Sequence, residues 1–318
     1  MNTKGKIFKI IGLSFAGFIG LFLITTLTVV FVFPYLSFTN SKKQHVDWMK
    51  DLDDEQLITE LVLPGSHDST TNICDLPYFT KTQYMNIDEQ LNIGVRSFDM
   101  RLVIEKDKIK FTHSTFNCKE TPFKNLYLDK VCDLMYDFLY KNPSETIVFL
   151  SKYEHGNEPI TLLEDIFEST IKEKKSYWYL SNEIPKLKDV RGKIVLLARY
   201  DTRLGIKADW PNQSGAADVS ETYDVISYGD YDVCIQDRYE YKKKDKWNAF
   251  TSELPTLTKP TFVFNYLSTT EGAFSNPRSI SLSMNKKFLK YDIPDSFKGT
   301  IMLDYINSDL TEKIINAN

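Results

Sequence analysis

The sequence predicts an α/β protein: a TIM-like (β/α) barrel over residues 56–318, preceded by one transmembrane helix. Three observations carry that expectation. Short apolar runs stop abruptly at His, Asp, Arg or Lys, as buried strands do where they deliver polar side chains at their carboxyl ends. Segments of helical spacing alternate with those runs, the pattern of parallel βα units. An uncharged stretch extends from Ile10 to Asn40, and Ile10 to Phe33 alone is long enough to cross a bilayer.

At 318 residues the chain can form one large domain, and a hydrophobic content of 42% with 26% charged residues excludes a disordered protein. The formal net charge is −4. Lys4, Lys6 and Lys9 all lie before the apolar stretch, so the remainder is more acidic still. That balance argues against nucleic acid as a partner, which needs a basic field, but leaves room for a local basic site that takes one phosphate.

The apolar stretch exceeds the core of a cleaved signal peptide, so it reads as an uncleaved anchor. Residues 1–40 are then a cytoplasmic tail and transmembrane helix, and 41–55 a juxtamembrane linker. The domain that follows then lies outside the cytosol, extracellular or lumenal. Gly12, Ala16 and Gly20 share a helical face, which allows a weak homodimer through the anchor. Cys74, Cys118, Cys132 and Cys234 match no zinc spacing, and Cys118 with Cys132 is the expected bridge.

Taken in order, Ile58 to Leu63 reads as the first strand and Ile87 to Ile93 as a helix stopped by Gly94. Val95 to Leu102 is the second strand, turned back at Lys106 to Lys108 into Ile109 to His113. Leu126 to Tyr140 has its apolar residues on one face and ends at Asn142-Pro143, giving a helix. Thr146 to Ser151 is apolar throughout, as in a parallel strand buried on both sides. Helix Leu162 to Ile171 follows, then strands Lys193 to Ala198, Val233 to Gln236 and Thr261 to Asn265. Helix Ser279 to Leu289, strand Thr300 to Leu303 and helix Ser308 to Ile315 complete the chain. Thr202 to Tyr231 is polar and weakly periodic, and reads as a long loop over the barrel mouth.

The strand ends collect His67 and Asp68, Asp99 and Arg101, His113, Lys152, Arg199, Asp237 and Tyr239, Asn265, and Asp304. Two histidines suit a reaction in which one base removes a hydroxyl proton and one acid protonates a leaving oxygen, each ring steadied by a carboxylate. Arg101 and Lys152 supply positive charge for a phosphodiester. A single His after a strand is more often structural, and a single Asp before a helix is more often a cap. His45 and His155 have no such company and read as solvated loop residues. The coincidence of His67 and His113 with Asp68, Asp99 and Arg101 is what favours catalysis.

At these residues the chain resembles a known family. Leu63-Pro64-Gly65-Ser66-His67-Asp68-Ser69, Gly94-Val95-Arg96-Ser97-Phe98-Asp99-Met100-Arg101, His113 and Asn142-Pro143-Ser144-Glu145-Thr146-Ile147-Val148 are similar to the X domain of phosphatidylinositol-specific phospholipase C in its bacterial-type form. The resemblance implies a distorted, incompletely closed barrel and a phosphatidylinositol-type lipid as substrate, free or glycosylated. It makes His67 the general base, oriented by Asp304, and His113 with Asp68 the general acid, with Arg101 on the phosphoryl oxygens. Asp99, Lys152, Arg199, Asp237 and Tyr239 would bind substrate. No cofactor is expected. Calcium needs several oxygen ligands, and an arginine among them is incompatible, so no metal is expected either. Tyr266 stands where relatives can have histidine, and Arg238 where many have a second acid. Rival readings are a catalytically silent inositol-lipid or glycan-binding barrel, or a barrel phosphodiesterase with another phospholipid substrate.

Overall fold

The computed structural model of the chain describes residues 17–28, 43–213, 222–272 and 275–318. Its longer strands, in chain order, are β1 (Val62–Ser66), β2 (Ser97–Glu105), β3 (Lys108–His113), β4 (Ile147–Tyr153), β5 (Ile194–Ala198), β6 (Asp224–Ser227), β7 (Asp232–Gln236), β8 (Thr261–Tyr266) and β9 (Gly299–Leu303). Side by side they run Ile206–Lys207, β5, β4, β2, β1, β9, β8, β7, β6. Neighbours are parallel except at β6–β7, and β3 folds back antiparallel on β2. Helices such as Leu128–Lys141, Ile160–Ile171 and Pro277–Phe288 pack outside.

Among the described residues the barrel does not close through its backbone, since no ladder joins Ile206–Lys207 to β6. Side chains span the seam instead: the Tyr231 hydroxyl donates to the Lys207 carbonyl at 2.8 Å and the Tyr228 hydroxyl to the Asp209 carbonyl at 2.6 Å.

Strand alternation divides the core in two. Leu63, Val148, Leu150, Val195, Leu197, Val233, Ile235, Phe264 and Met302 fill the barrel interior. Phe98, Met100, Phe149, Leu196, Val263 and Leu303 face the helices. Gly65 sits opposite Met302, where a Cβ would lie 2.6 Å from both the Met302 sulfur and the Thr300 methyl. Only glycine lets β1 and β9 approach so closely.

Several expectations are corrected. Among the described residues no helix is long and apolar enough to cross a membrane. That overturns the single-pass arrangement with its catalytic domain extracellular or lumenal. The rest of the expected span, and Gly12 and Ala16 of the proposed dimer stripe, lie outside the described residues. The described part of the 41–55 segment is not a loose linker but packs under the barrel. Met49 is fully buried, its N–H donates to Glu145 at 3.1 Å, and the Trp48 indole donates to the Gly94 carbonyl.

Ile58–Glu60 is a short 3-10 turn rather than strand, because the Glu60 carboxylate accepts from the Leu57 N–H at 2.7 Å and caps it. The Thr202 to Tyr231 segment contains Ile206–Lys207 and β6, both too short to show a period. Helix Lys243–Phe250 has no clear apolar stripe in the sequence. The four cysteines are buried and free, and Cys118 lies opposite Cys74 rather than bonded to Cys132.

Candidate active site

Each of these strand-borne site residues continues the inward-facing alternation of its strand. His67 follows Leu63 and Gly65, Asp99 and Arg101 lie on the face of β2 opposite Phe98 and Met100, and Lys152 follows Val148 and Leu150. Arg199 follows Val195 and Leu197, Asp237 follows Val233 and Ile235, and Asp304 follows Met302. The apolar interior therefore gives way at one end to a polar cavity of about 890 Å³. It is lined by His67, Asp68, Arg101, His113, Lys152, Arg199, Asp237, Tyr239 and Asp304.

His67 and Asp304 leave the two strands that Gly65 draws together, and the His67 Nδ1–H donates to Asp304 Oδ1 at 2.7 Å. Nε2 is thereby turned to the cavity, 3.4 Å from Asp68 Oδ2. His113 presents its own Nε2 to the same oxygen at 3.3 Å, while its Nδ1–H donates to the Thr80 carbonyl at 2.6 Å. Both rings thus face one point. Asp68 reaches it from a left-handed backbone, φ 42°, a conformation that aspartate tolerates better than most residues. Gln83 braces the turn by donating to the carbonyls of His67 and Leu303 at 2.9 and 2.8 Å.

Arg101 is held by carboxylates. Its Nε and Nη2 donate to the two oxygens of Asp99, each at 2.7 Å, Nε also stands 3.1 Å from Asp68, and Nη1 bonds Glu154 at 3.2 Å. Lys152, beside Arg101 in the register of β2 and β4, pairs with the same Glu154 at 3.0 Å. The Arg199 guanidinium lies 3.6 Å from the centre of the Trp210 ring, and its Nε and Nη1 have no hydrogen-bond partner among the described residues.

Asp99 departs from its expected role. It is fully buried beneath Arg101 and absent from the cavity wall, so it positions the guanidinium rather than binding substrate. Asn265 is likewise turned away, between Phe250 and Gln236. Sequence reading missed Glu154, whose signal was its place two residues after Lys152 on the same strand face, and Thr80, which acts through a backbone carbonyl and left no signal. Tyr266 lies fully buried against the edge of the His67 ring, centroids 5.7 Å apart.

Burial would strip the proton from His67, but the carboxylates of Asp68 and Asp304 prevail and raise its pKa to about 9. Burial likewise opposes charge on Asp68, yet His67, Arg101 and His113 hold its pKa down to about 2. Burial raises Asp304. A histidine raised on folding stabilises fully below its unfolded value near 6.5 and loses that contribution as pH climbs through 9. The protein is therefore expected to lose on the order of 3 kcal/mol between about pH 6 and pH 10 from this group. Denaturant unfolding at the two pH values measures it, and His67→Gln should flatten the difference.

His67, Asp68 and Asp99 offer atoms within 4.8 Å of one another, near enough to chelate a cation. A metal does not fit, because Arg101 already sits at 2.7 Å from Asp99 and 3.1 Å from Asp68. A chelator is expected to leave turnover unchanged and added calcium to give no gain; a calcium requirement would contradict the charge assignment.

An open α/β barrel with two histidines and an arginine at its mouth carries the groups that general acid–base cleavage of a phosphodiester needs. Residues 65–200 match the family described as phosphatidylinositol-specific phospholipase C, X domain. The chain is 27% identical over 294 residues to a 1-phosphatidylinositol phosphodiesterase of Listeria monocytogenes, covering 85% of this chain and 84% of the relative. It is 29% identical over 305 residues to one of Staphylococcus aureus, covering 87% and 95%. A solved phosphatidylinositol-specific phospholipase C of Staphylococcus aureus superposes with a TM-score of 0.71 at 25% identity, over 87% of this chain and 98% of that one. The Listeria monocytogenes structure gives 0.65 at 24%, over 87% and 99%.

Proposed function

We propose that this protein cleaves phosphatidylinositol to diacylglycerol and inositol 1,2-cyclic phosphate, with residues 56–318 as the catalytic unit. The observation that carries this reading is the convergence of His67 and His113 on one oxygen of Asp68, a spacing that lets two imidazoles flank a single phosphorus. His67 Nε2 takes the proton of the inositol 2-hydroxyl, and that oxygen attacks the neighbouring phosphorus. The bond from phosphorus to the diacylglycerol oxygen breaks, and His113 Nε2–H protonates the departing oxygen. Asp304 and the Thr80 carbonyl fix the two tautomers, since each accepts only from Nδ1–H.

Arg101 stabilises charge on the non-bridging oxygens. Lys152, Arg199 and Asp237 engage the inositol hydroxyls, with Tyr239 against the ring. The relatives named as 1-phosphatidylinositol phosphodiesterases support the substrate. Incubation of the protein with labelled phosphatidylinositol should release the cyclic phosphate before any acyclic product. Binding without release would favour a silent inositol-lipid receptor and end the proposal.

A further inference from the structure

Outside the catalytic site, the segment before Thr80 and the chain after His113 meet in a single antiparallel bridge whose paired residues are Cys74 and Cys118. The Asp75 N–H donates to the Asn117 carbonyl at 3.1 Å and the Lys119 N–H to the Ile73 carbonyl at 2.8 Å. Those two bonds bracket the cysteines, making them a pair that is not itself hydrogen bonded. Such pairs bring their Cα atoms to about 4.5 Å and their side chains to the same face of the sheet. A disulfide needs Cα atoms roughly 4.4–6.8 Å apart with converging side chains. The Cys74 thiol is also one of the groups that, after burial, raise the pKa of Cys118, as nearby thiols do. Cys132 and Cys234 have no comparable bridge.

We propose that Cys74 and Cys118 are a disulfide-forming pair, reduced in this structure and closed by exchange with a low-molecular-weight disulfide. Cys74, 6% exposed against 0% for Cys118, is the member that a reagent reaches. Its thiolate attacks one sulfur of the reagent and releases the first small thiol, which takes up the Cys74 proton. The Cys118 sulfur then attacks the Cys74 sulfur of the mixed disulfide and releases the second small thiol with the Cys118 proton. Two protein thiols are oxidised, one small disulfide is reduced to two thiols, and no other reactant is needed.

The bond ties the catalytic wall together. Thr80 accepts from His113 through its carbonyl at 2.6 Å and donates from its hydroxyl to the Cys74 sulfur at 3.0 Å. A Cys74–Cys118 cystine therefore pins the acid's acceptor to the strand that follows the acid. It also closes a loop of about 45 residues, a length at which a cross-link removes substantial freedom from the unfolded chain.

The test uses the full chain, treated with oxidised glutathione or with a dithiol reductant. One arm is treated while folded and a second during refolding from denaturant. Thiols are then alkylated in denaturant and the digests mapped by mass. The expected result is one cross-linked peptide pair containing Cys74 and Cys118, with Cys132 and Cys234 alkylated. The thermal midpoint of the oxidised protein should rise by about 5–10 °C. Cys74→Ser and Cys118→Ser should each remove both the cross-link and the rise, and Cys132→Ser should keep both. Four alkylated cysteines in both arms, glutathione adducts without a cross-link, or a link to Cys132 or Cys234 would each overturn the assignment. None of these readouts depends on turnover, so the result stands apart from the catalytic proposal.

Discussion

His67→Ala is expected to lower kcat for phosphatidylinositol cleavage by about 10³- to 10⁴-fold while KM changes little. The His67 Nδ1 is committed to Asp304, and in the proposed reaction its Nε2 is the group that removes the proton of the attacking hydroxyl. Because the neighbouring carboxylates raise its pKa to about 9, the ring is protonated in most molecules at neutral pH. Only the fraction without that proton can act, so kcat/KM should climb as pH approaches 9. Single-turnover assays of wild type and His67→Ala across this range measure both effects. Unchanged turnover in the variant would remove His67 from the mechanism.

Arg101→Lys is the second large effect, a fall of about 10²- to 10³-fold in kcat. The substitution keeps one positive charge but loses the planar fork that grips both oxygens of Asp99, each at 2.7 Å, while still reaching Glu154. An ammonium cannot satisfy three carboxylates and a phosphoryl oxygen in the same geometry. Arg101→Ala goes further and leaves Asp68, Asp99 and Glu154 facing one another in a buried site. Removing one partner of a buried charge cluster costs about 3–5 kcal/mol, so this variant should also unfold at lower denaturant. Steady-state kinetics on the Lys variant and denaturation of the Ala variant separate the two roles.

The inward alternation that builds the site was legible in the sequence, because each apolar strand ran without a break into the polar residue that tops it. Leu150 predicts the side of Lys152, and Met302 that of Asp304, from nothing more than a period of two. What could not be read were the groups that act through space or through the backbone. Asp99 and Arg101 lie two apart on one strand, so both were expected in the cavity. Only depth along the barrel distinguishes them, and sequence does not encode it locally. Thr80 contributes a carbonyl, which any residue would supply. The apolar stretch near the amino terminus had the length of a membrane span on composition alone, yet no helix among the described residues is long and apolar enough to cross one.

A sheet that stops short of closing has two rims, and rims invite other chains to add on. Here those rims are Ile206–Lys207 and Asp224–Ser227, two residues on one side and four on the other, with charged side chains in each. So little exposed ladder offers a neighbouring molecule almost nothing to extend, and the protein should resist fibril growth and strand exchange at high concentration without having to complete the ring.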